Sequence, residues 1–169
     1  KYKKISPILL KIKSPKETGK TFIANSKLKV KFFSKYVDYP VISDDSGLCI
    51  KALNNKPGIY SARLAKKCGS FSKAMKYILK KMENIKNRKA FFVCSLSYKE
   101  KKEKIITVEG KINGKISKRI LGKNGFGFDP IFIPARAEIT FGQMSKIKKI
   151  KMDHRFIAFK KLKKKIKIL

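Results

Sequence analysis

Two adjacent carboxylates followed by a hydroxyl and a glycine, Asp44-Asp45-Ser46-Gly47, are the first residues whose types and spacing could do chemistry. Neighbouring carboxylates repel and resist burial, so a cation should neutralise them. Mg²⁺ does this with hard oxygen ligands, taking one or two carboxylates together with the phosphates of a substrate. Held there, a metal can clamp a polyphosphate while a carboxylate orients the attacking water. The competing reading is an Asx-type turn with Gly47 at positive φ. Asp and Glu together number only 11 in 169 residues, which makes an adjacent pair less like surface filler.

Gly125-Phe126-Gly127-Phe128-Asp129-Pro130 is a second such cluster. Glycines on either side of an aromatic let backbone approach a ligand closely, and the ring can stack on a nucleobase. Asp129 could accept hydrogen bonds from a base or a ribose. A bulged strand connection with Phe126 and Phe128 in the core explains the same residues. No Gly-Lys-Ser/Thr follows, so this is not a Gly-rich phosphate loop. The third cluster is His154-Arg155, preceded by Lys148 and Lys149 and containing the single histidine of the chain. At a helix start, where free N–H groups also favour anions, the pair suits a phosphate or a purine edge. A surface dipeptide in a lysine-rich tail is the alternative.

Elements that would position these residues can be read from periodicity. Residues 1–13 alternate loosely around Ile5, Ile8, Leu10 and Ile12, as in a strand. Residues 21–36 carry Phe22, Leu28, Phe32, Phe33 and Tyr36 close to helical spacing. Val41-Ile42-Ser43 reads as a short strand entering the acidic pair and Leu48-Cys49-Ile50 as a strand leaving it. Ser70 can cap a helix running to about Asn84, with Met75, Ile78, Leu79 and Met82 on one face. Three strands are expected at residues 90–98, 104–112 and 115–121, the last two joined by Asn113-Gly114, a strong hairpin signal. A glycine-bearing loop, residues 122–127, leads to the apolar run Ile131 to Pro134. A final helix over residues 153–168 carries Phe156, Phe159, Leu162 and Ile166 on one side and lysines at its end, where they suit the helix dipole. Strands interleaved with helices predict an α/β fold with an antiparallel portion, in one domain.

A net charge of +33 invites a nucleic-acid reading, because neutralising phosphates drives such binding. Only five of the 44 basic residues are Arg, the residue whose bidentate fork best reads phosphates and bases. Lysine is instead spread through every segment alongside Ile, Asn and Phe, the residues of A/T-rich codons, and a solvated lysine surface accounts for it. No apolar run approaches the length of a membrane span. Cys49, Cys68 and Cys94 lack metal-type spacing and are odd in number, which fits a reducing cytosol.

Taken in order, these motifs resemble the inosine/xanthosine triphosphate pyrophosphatases, which clear non-standard purine nucleotides. The matching stretches are Glu17-Thr18-Gly19-Lys20-Thr21-Phe22, Asp44-Asp45-Ser46-Gly47-Leu48, Pro57-Gly58-Ile59-Tyr60-Ser61-Ala62-Arg63, Gly125 to Phe132, and Thr140-Phe141 with His154-Arg155 downstream. The resemblance implies an α/β fold with a mixed sheet flanked by helices and a cleft between two lobes, usually in a homodimer. It implies Mg²⁺-dependent hydrolysis of ITP, dITP or XTP to monophosphate and pyrophosphate. Asp45 matches the acidic residue that accepts a proton and ligates metal, with Glu17 as a second metal ligand. Ser46 matches a substrate contact, Phe126, Gly127, Phe128 and Asp129 the nucleotide-binding loop, and Lys149, His154 and Arg155 the group that holds purine and phosphates. Three departures stand out. Lys16 replaces an acidic residue, Phe156 replaces a small Gly, and the family's opening strand and Thr/Ser-x-Asn-x-x-Lys phosphate loop have no counterpart from Lys1 onward. The reading frame is therefore expected to extend upstream by an apolar strand and an Asn/Lys-containing loop. A relative without activity that binds nucleotide or nucleic acid is the alternative function.

Overall fold

A computed structural model describes residues 5–100 and 103–166. Five strands form one sheet: β1 (Val41–Ile50), β2 (Lys56–Pro57), β3 (Lys89–Lys99), β4 (Ile106–Ile116) and β5 (Phe132–Pro134). Their order is β2-β1-β3-β4-β5, and every pairing among the described residues is antiparallel. Helices cover the sheet on both sides, as an α/β fold requires. Side chains alternate along β3, so its odd and even residues serve different helices. Ser95 and Ser97 meet Ser26 of α1 (Phe22–Phe33), each hydroxyl pair at 2.9 Å. Ala90, Phe92, Cys94 and Leu96 face the other way. There they pack against α2 (Ser61–Cys68), α3 (Phe71–Lys81) and α5 (His154–Ile166). A short helix, α4 (Lys146–Ile150), precedes α5.

Helix starts follow the capping residues. The hydroxyls of Thr21, Ser70 and Ser145 accept hydrogen bonds from the backbone N–H groups of Ala24, Lys73 and Lys148, and the Asp153 carboxylate accepts from Phe156. The face that α1 turns to the sheet is unusual. Its buried residues are Asn25, Ser26, Val30 and Phe33, while Phe32 meets Tyr36 at a tilt of 50° away from it. Hydrogen bonds therefore dock this helix as much as apolar burial does.

Several expected elements are displaced. Asp44 to Gly47 do not separate two strands: β1 runs unbroken through them, paired with β3 from Val41↔Lys99 to Ile50↔Ala90. Gly47 is required by close approach, not by positive φ, because a Cβ there would collide with the Gly58 carbonyl. Asn113-Gly114 is not a turn but lies within β4, where a Cβ on Gly114 would strike the Ile133 carbonyl. The chain reverses instead between β3 and β4, and beyond Ile116 the expected strand continues as a loop bonded to Ile131 and Pro130. Residues 7–11 form turns where a strand was expected; residues 1–4 lie outside those described. In α5 the buried residues are His154, Ala158 and Leu162, leaving Phe159 exposed.

Candidate active site

Strand geometry divides the acidic pair. Successive side chains of β1 point to opposite faces, so Asp44 and Asp45 relieve their repulsion by turning apart. Asp45 faces α1 and Asp44 faces α5. The Asp44 carboxylate lies 3.2 Å from the Arg155 guanidinium and accepts a hydrogen bond from Ser46 at 2.9 Å.

Asp45 is buried and sits in a ring of polar groups. Asn25 donates its amide N–H to Asp45 Oδ2 at 3.0 Å, and the Lys29 ammonium stands 3.6 Å from Oδ1. Lys29 also reaches Glu17 Oε1 at 2.6 Å, so one cation bridges the two carboxylates. Arg63, stacked on Tyr60, approaches the second Glu17 oxygen at 3.8 Å. Burial raises the Asp45 pKa, opposed by the Asn25 hydrogen bond and the Lys29 charge. The result is a desolvated carboxylate with one oxygen tied to an amide and the other beside a cation.

Across β1 lies a cleft of about 660 Å³ lined by Phe126, Met144, Lys149, Arg155, Phe156 and Phe159, among others. The two phenylalanines of the Gly-rich loop part company, with Phe128 in the core and Phe126 56% exposed. Lys149 and Arg155 lie over the Phe126 ring, 4.3 and 5.1 Å from its centroid. Beneath it the Asp129 carboxylate accepts from the Phe126 N–H at 2.7 Å and pairs with the Lys149 ammonium at 2.7 Å, both side chains being buried. Burial is the main cause raising the Asp129 pKa; the Lys149 bond opposes it. The pair thus fixes the loop at the height where an aromatic ligand would meet Phe126.

His154, the first residue of α5, lies buried behind Arg155. It is 3% exposed, and its ring stacks on Phe92 at 4.8 Å and 10°. Its Nδ1 has no hydrogen-bond partner among the described residues. Burial first, then the charges of Arg155 and Lys149, lowers its pKa to about 3, so the imidazole is neutral.

The site residues expected from the sequence thus fall into two groups, one on each face of β1. Asp45 and Glu17 meet on the α1 side; Phe126, Asp129, Lys149, His154 and Arg155 gather on the α5 side, linked to β1 through Asp44 and Ser46. Gly127 bends the loop at positive φ beside them. Asn25 and Lys29 were not singled out in the sequence, and Asp44, read there as half of a cation-binding pair, turns instead to Arg155. Asn25 and Lys29 are one helical turn apart on α1, a spacing that puts both on one face.

The Ham1 family model matches residues 1–165. The chain belongs to the Ham1 family. Curated relatives include the dITP/XTP pyrophosphatase of Dictyoglomus thermophilum, 43% identical over 153 residues, covering 88% of this chain and 74% of that protein. The dITP/XTP pyrophosphatase of Borreliella burgdorferi is 44% identical over 158 residues, covering 88% and 78%. Among solved structures, the Ham1 protein of Staphylococcus aureus superposes with a TM-score of 0.88 at 36% identity, covering 95% of this chain and 83% of that one. The Ham1 protein of Coxiella burnetii gives 0.86 at 31%, covering 93% and 82%. These likenesses bear out the resemblance carried by the motifs. Among the described residues, no helix is long and apolar enough to cross a membrane.

Proposed function

We propose that this Ham1-family chain hydrolyses non-standard purine nucleoside triphosphates of the dITP/XTP kind, by attack of water at the α-phosphorus, to the monophosphate and pyrophosphate. One observation carries the reading. A single strand presents a desolvated carboxylate beside a lysine on one side and, through Asp44 and Arg155, adjoins an aromatic, cation-rimmed cleft on the other. The purine stacks on Phe126, and the phosphates run past Arg155 and over the edge of β1 that no described strand pairs, residues 41–48, toward Asp45. Asp45 Oδ1, free of the Asn25 bond, accepts the proton of the attacking water, and Lys29 offsets the negative charge that develops. A pocket that pairs a 6-oxo purine and offers no acceptor to a 2-amino group leaves the amino groups of adenine and guanine unsatisfied, a mismatch that can discriminate by orders of magnitude.

The donor chemistry around Asp45 fits Mg²⁺. Among the described residues no cluster of three metal-ligating side chains exists. Asp45 and Glu17 supply two hard carboxylates, which suits an ion that takes one or two protein carboxylates and otherwise substrate phosphates. Asp45 and Glu17 would hold it, and when bound it offsets phosphate charge. Cytosolic operation is assigned on the three free thiols, and homodimer assembly belongs to the same proposal, to be read by light scattering. The inactive, nucleic-acid-binding alternative is not favoured, because curated relatives 43–44% identical to this chain are named dITP/XTP pyrophosphatases.

Product analysis tests the function. dITP and XTP should yield monophosphate and pyrophosphate in the presence of Mg²⁺, with ATP and GTP far slower. Release of orthophosphate, or equal rates on all four, would overturn it.

A further inference from the structure

Asn25 has no exposed surface, yet it is a polar residue in the body of a helix. Buried amides persist where both ends are satisfied, and this one spans two separate pieces of the site. Its Oδ1 accepts the Gly19 N–H at 2.8 Å, and its Nδ2 donates to Asp45 Oδ2 at 3.0 Å. Gly19 lies two residues after Glu17, in the segment leading into α1. The same amide therefore anchors the backbone that carries Glu17 and sets the orientation of the Asp45 carboxylate. Gly19 completes the fit, because a Cβ there would stand 2.6 Å from Asn25 Oδ1 and 2.8 Å from the Ala24 Cβ.

We infer that Asn25 is a positioning residue that aligns Glu17 and Asp45 on Lys29 and leaves Asp45 Oδ1 as the working oxygen. Three features of the structure support this. The Asn25 bond goes to Oδ2, whereas Lys29 stands beside Oδ1. Lys29 lies one turn beyond Asn25 on the same helix, so amide and ammonium reach the site as a rigid pair. The helix is itself seated on the sheet by hydroxyl bonds between Ser26 and both Ser95 and Ser97, and by the Ser43 hydroxyl donating to the Ser26 carbonyl, which hold Asn25 at a fixed height over Asp45. Asn25 touches no part of the purine cleft. Its loss should therefore act on turnover and on cation binding, and not on recognition of the base.

This inference rests on the reading of Asp45 as the water-activating carboxylate, and the experiment separates the two. Asn25→Leu keeps the approximate volume and removes both bonds. Gly19→Ala leaves Asn25 in place and displaces its amide from the other end, so it carries the test if Asn25→Leu fails to fold. Each variant is compared with the parent chain for kcat and KM on dITP and, with no nucleotide present, for Mn²⁺ binding followed by its electron spin resonance signal. Both variants should lose about 10- to 100-fold in kcat, as expected when a reacting group is misplaced by about an ångström, with KM within about twofold. Both should also bind Mn²⁺ more weakly while their melting curves stay cooperative. Unchanged kcat and Mn²⁺ affinity in either folded variant would overturn the inference, as would a KM that rises while kcat holds. If the parent chain turns over no nucleotide and the variants still lose Mn²⁺ affinity, the reading of the reaction falls and the positioning role of Asn25 stands.

Discussion

His154 should make the fold acid-sensitive in a way that one substitution isolates. Its imidazole is buried against Phe92 and titrates near 3, against 6.5 in an exposed histidine. The unfolded chain takes up this proton near pH 6.5, whereas the folded chain resists it until about pH 3. Folding is therefore favoured by the neutral ring above pH 6.5 and weakened progressively as pH falls through that window. One pH unit corresponds to about 1.4 kcal/mol, so acidification to pH 5 should cost about 2 kcal/mol through this residue alone. The raised carboxyl pKa values of Asp45 and Asp129 act in the opposite sense, since their buried protonated forms favour the fold at low pH. Those contributions are common to the parent chain and to His154→Gln and cancel in their difference. Urea unfolding of both proteins at pH 7, 6 and 5 is the assay. The parent should lose about 2 kcal/mol more than the variant between pH 7 and 5, whatever constant offset the lost Phe92 stacking introduces. Parallel acid dependence of the two proteins would refute the argument.

Three further outcomes follow from the site. Lys149→Met should destabilise the chain by about 3–5 kcal/mol in denaturant unfolding, because it strands the buried Asp129 carboxylate. Phe126→Ala should lower kcat/KM for dITP about tenfold or more, chiefly through KM, since stacking on one base contributes about 1–3 kcal/mol, while denaturant stability barely moves because the ring is largely exposed. Asp45→Asn should retain a cooperative melt and lose at least about 100-fold in kcat, in line with removal of a positioned proton acceptor; near-normal turnover at saturating Mg²⁺ would show that another group takes the proton.

Much of the architecture was legible where a local rule and the tertiary environment agree. Ser70 caps α3 because a hydroxyl before a helical run meets the same free N–H group in any fold. Gly125 to Asp129 were legible as a glycine-bearing loop, but the sequence alone did not separate Phe128, which packs in the core, from Phe126, which faces the cleft. The failures share a cause. Asn113-Gly114 is a hairpin pair by local preference, but β5 passes so near that a glycine is needed inside a strand. Asp44 and Asp45 look like a turn, yet ten residues of pairing with β3 keep the strand straight, and partners on opposite faces absorb their charges. Lys29 could not be distinguished among 44 basic residues, and Asn is by type a weak helix former, so Asn25 carried no signal of its own. Both acquire meaning only when α1 is laid across β1.

The central claim is that water attacks the α-phosphorus from the side held by Asp45, and the fate of the solvent oxygen tests it most directly. Hydrolysis of dITP by the parent chain in ¹⁸O-labelled water, followed by mass spectrometry of both products, should place the label in the monophosphate and leave pyrophosphate unlabelled. Label in the pyrophosphate would mean attack at the β-phosphorus, and the arrangement of Asp45 and Lys29 described above would then serve a different reaction.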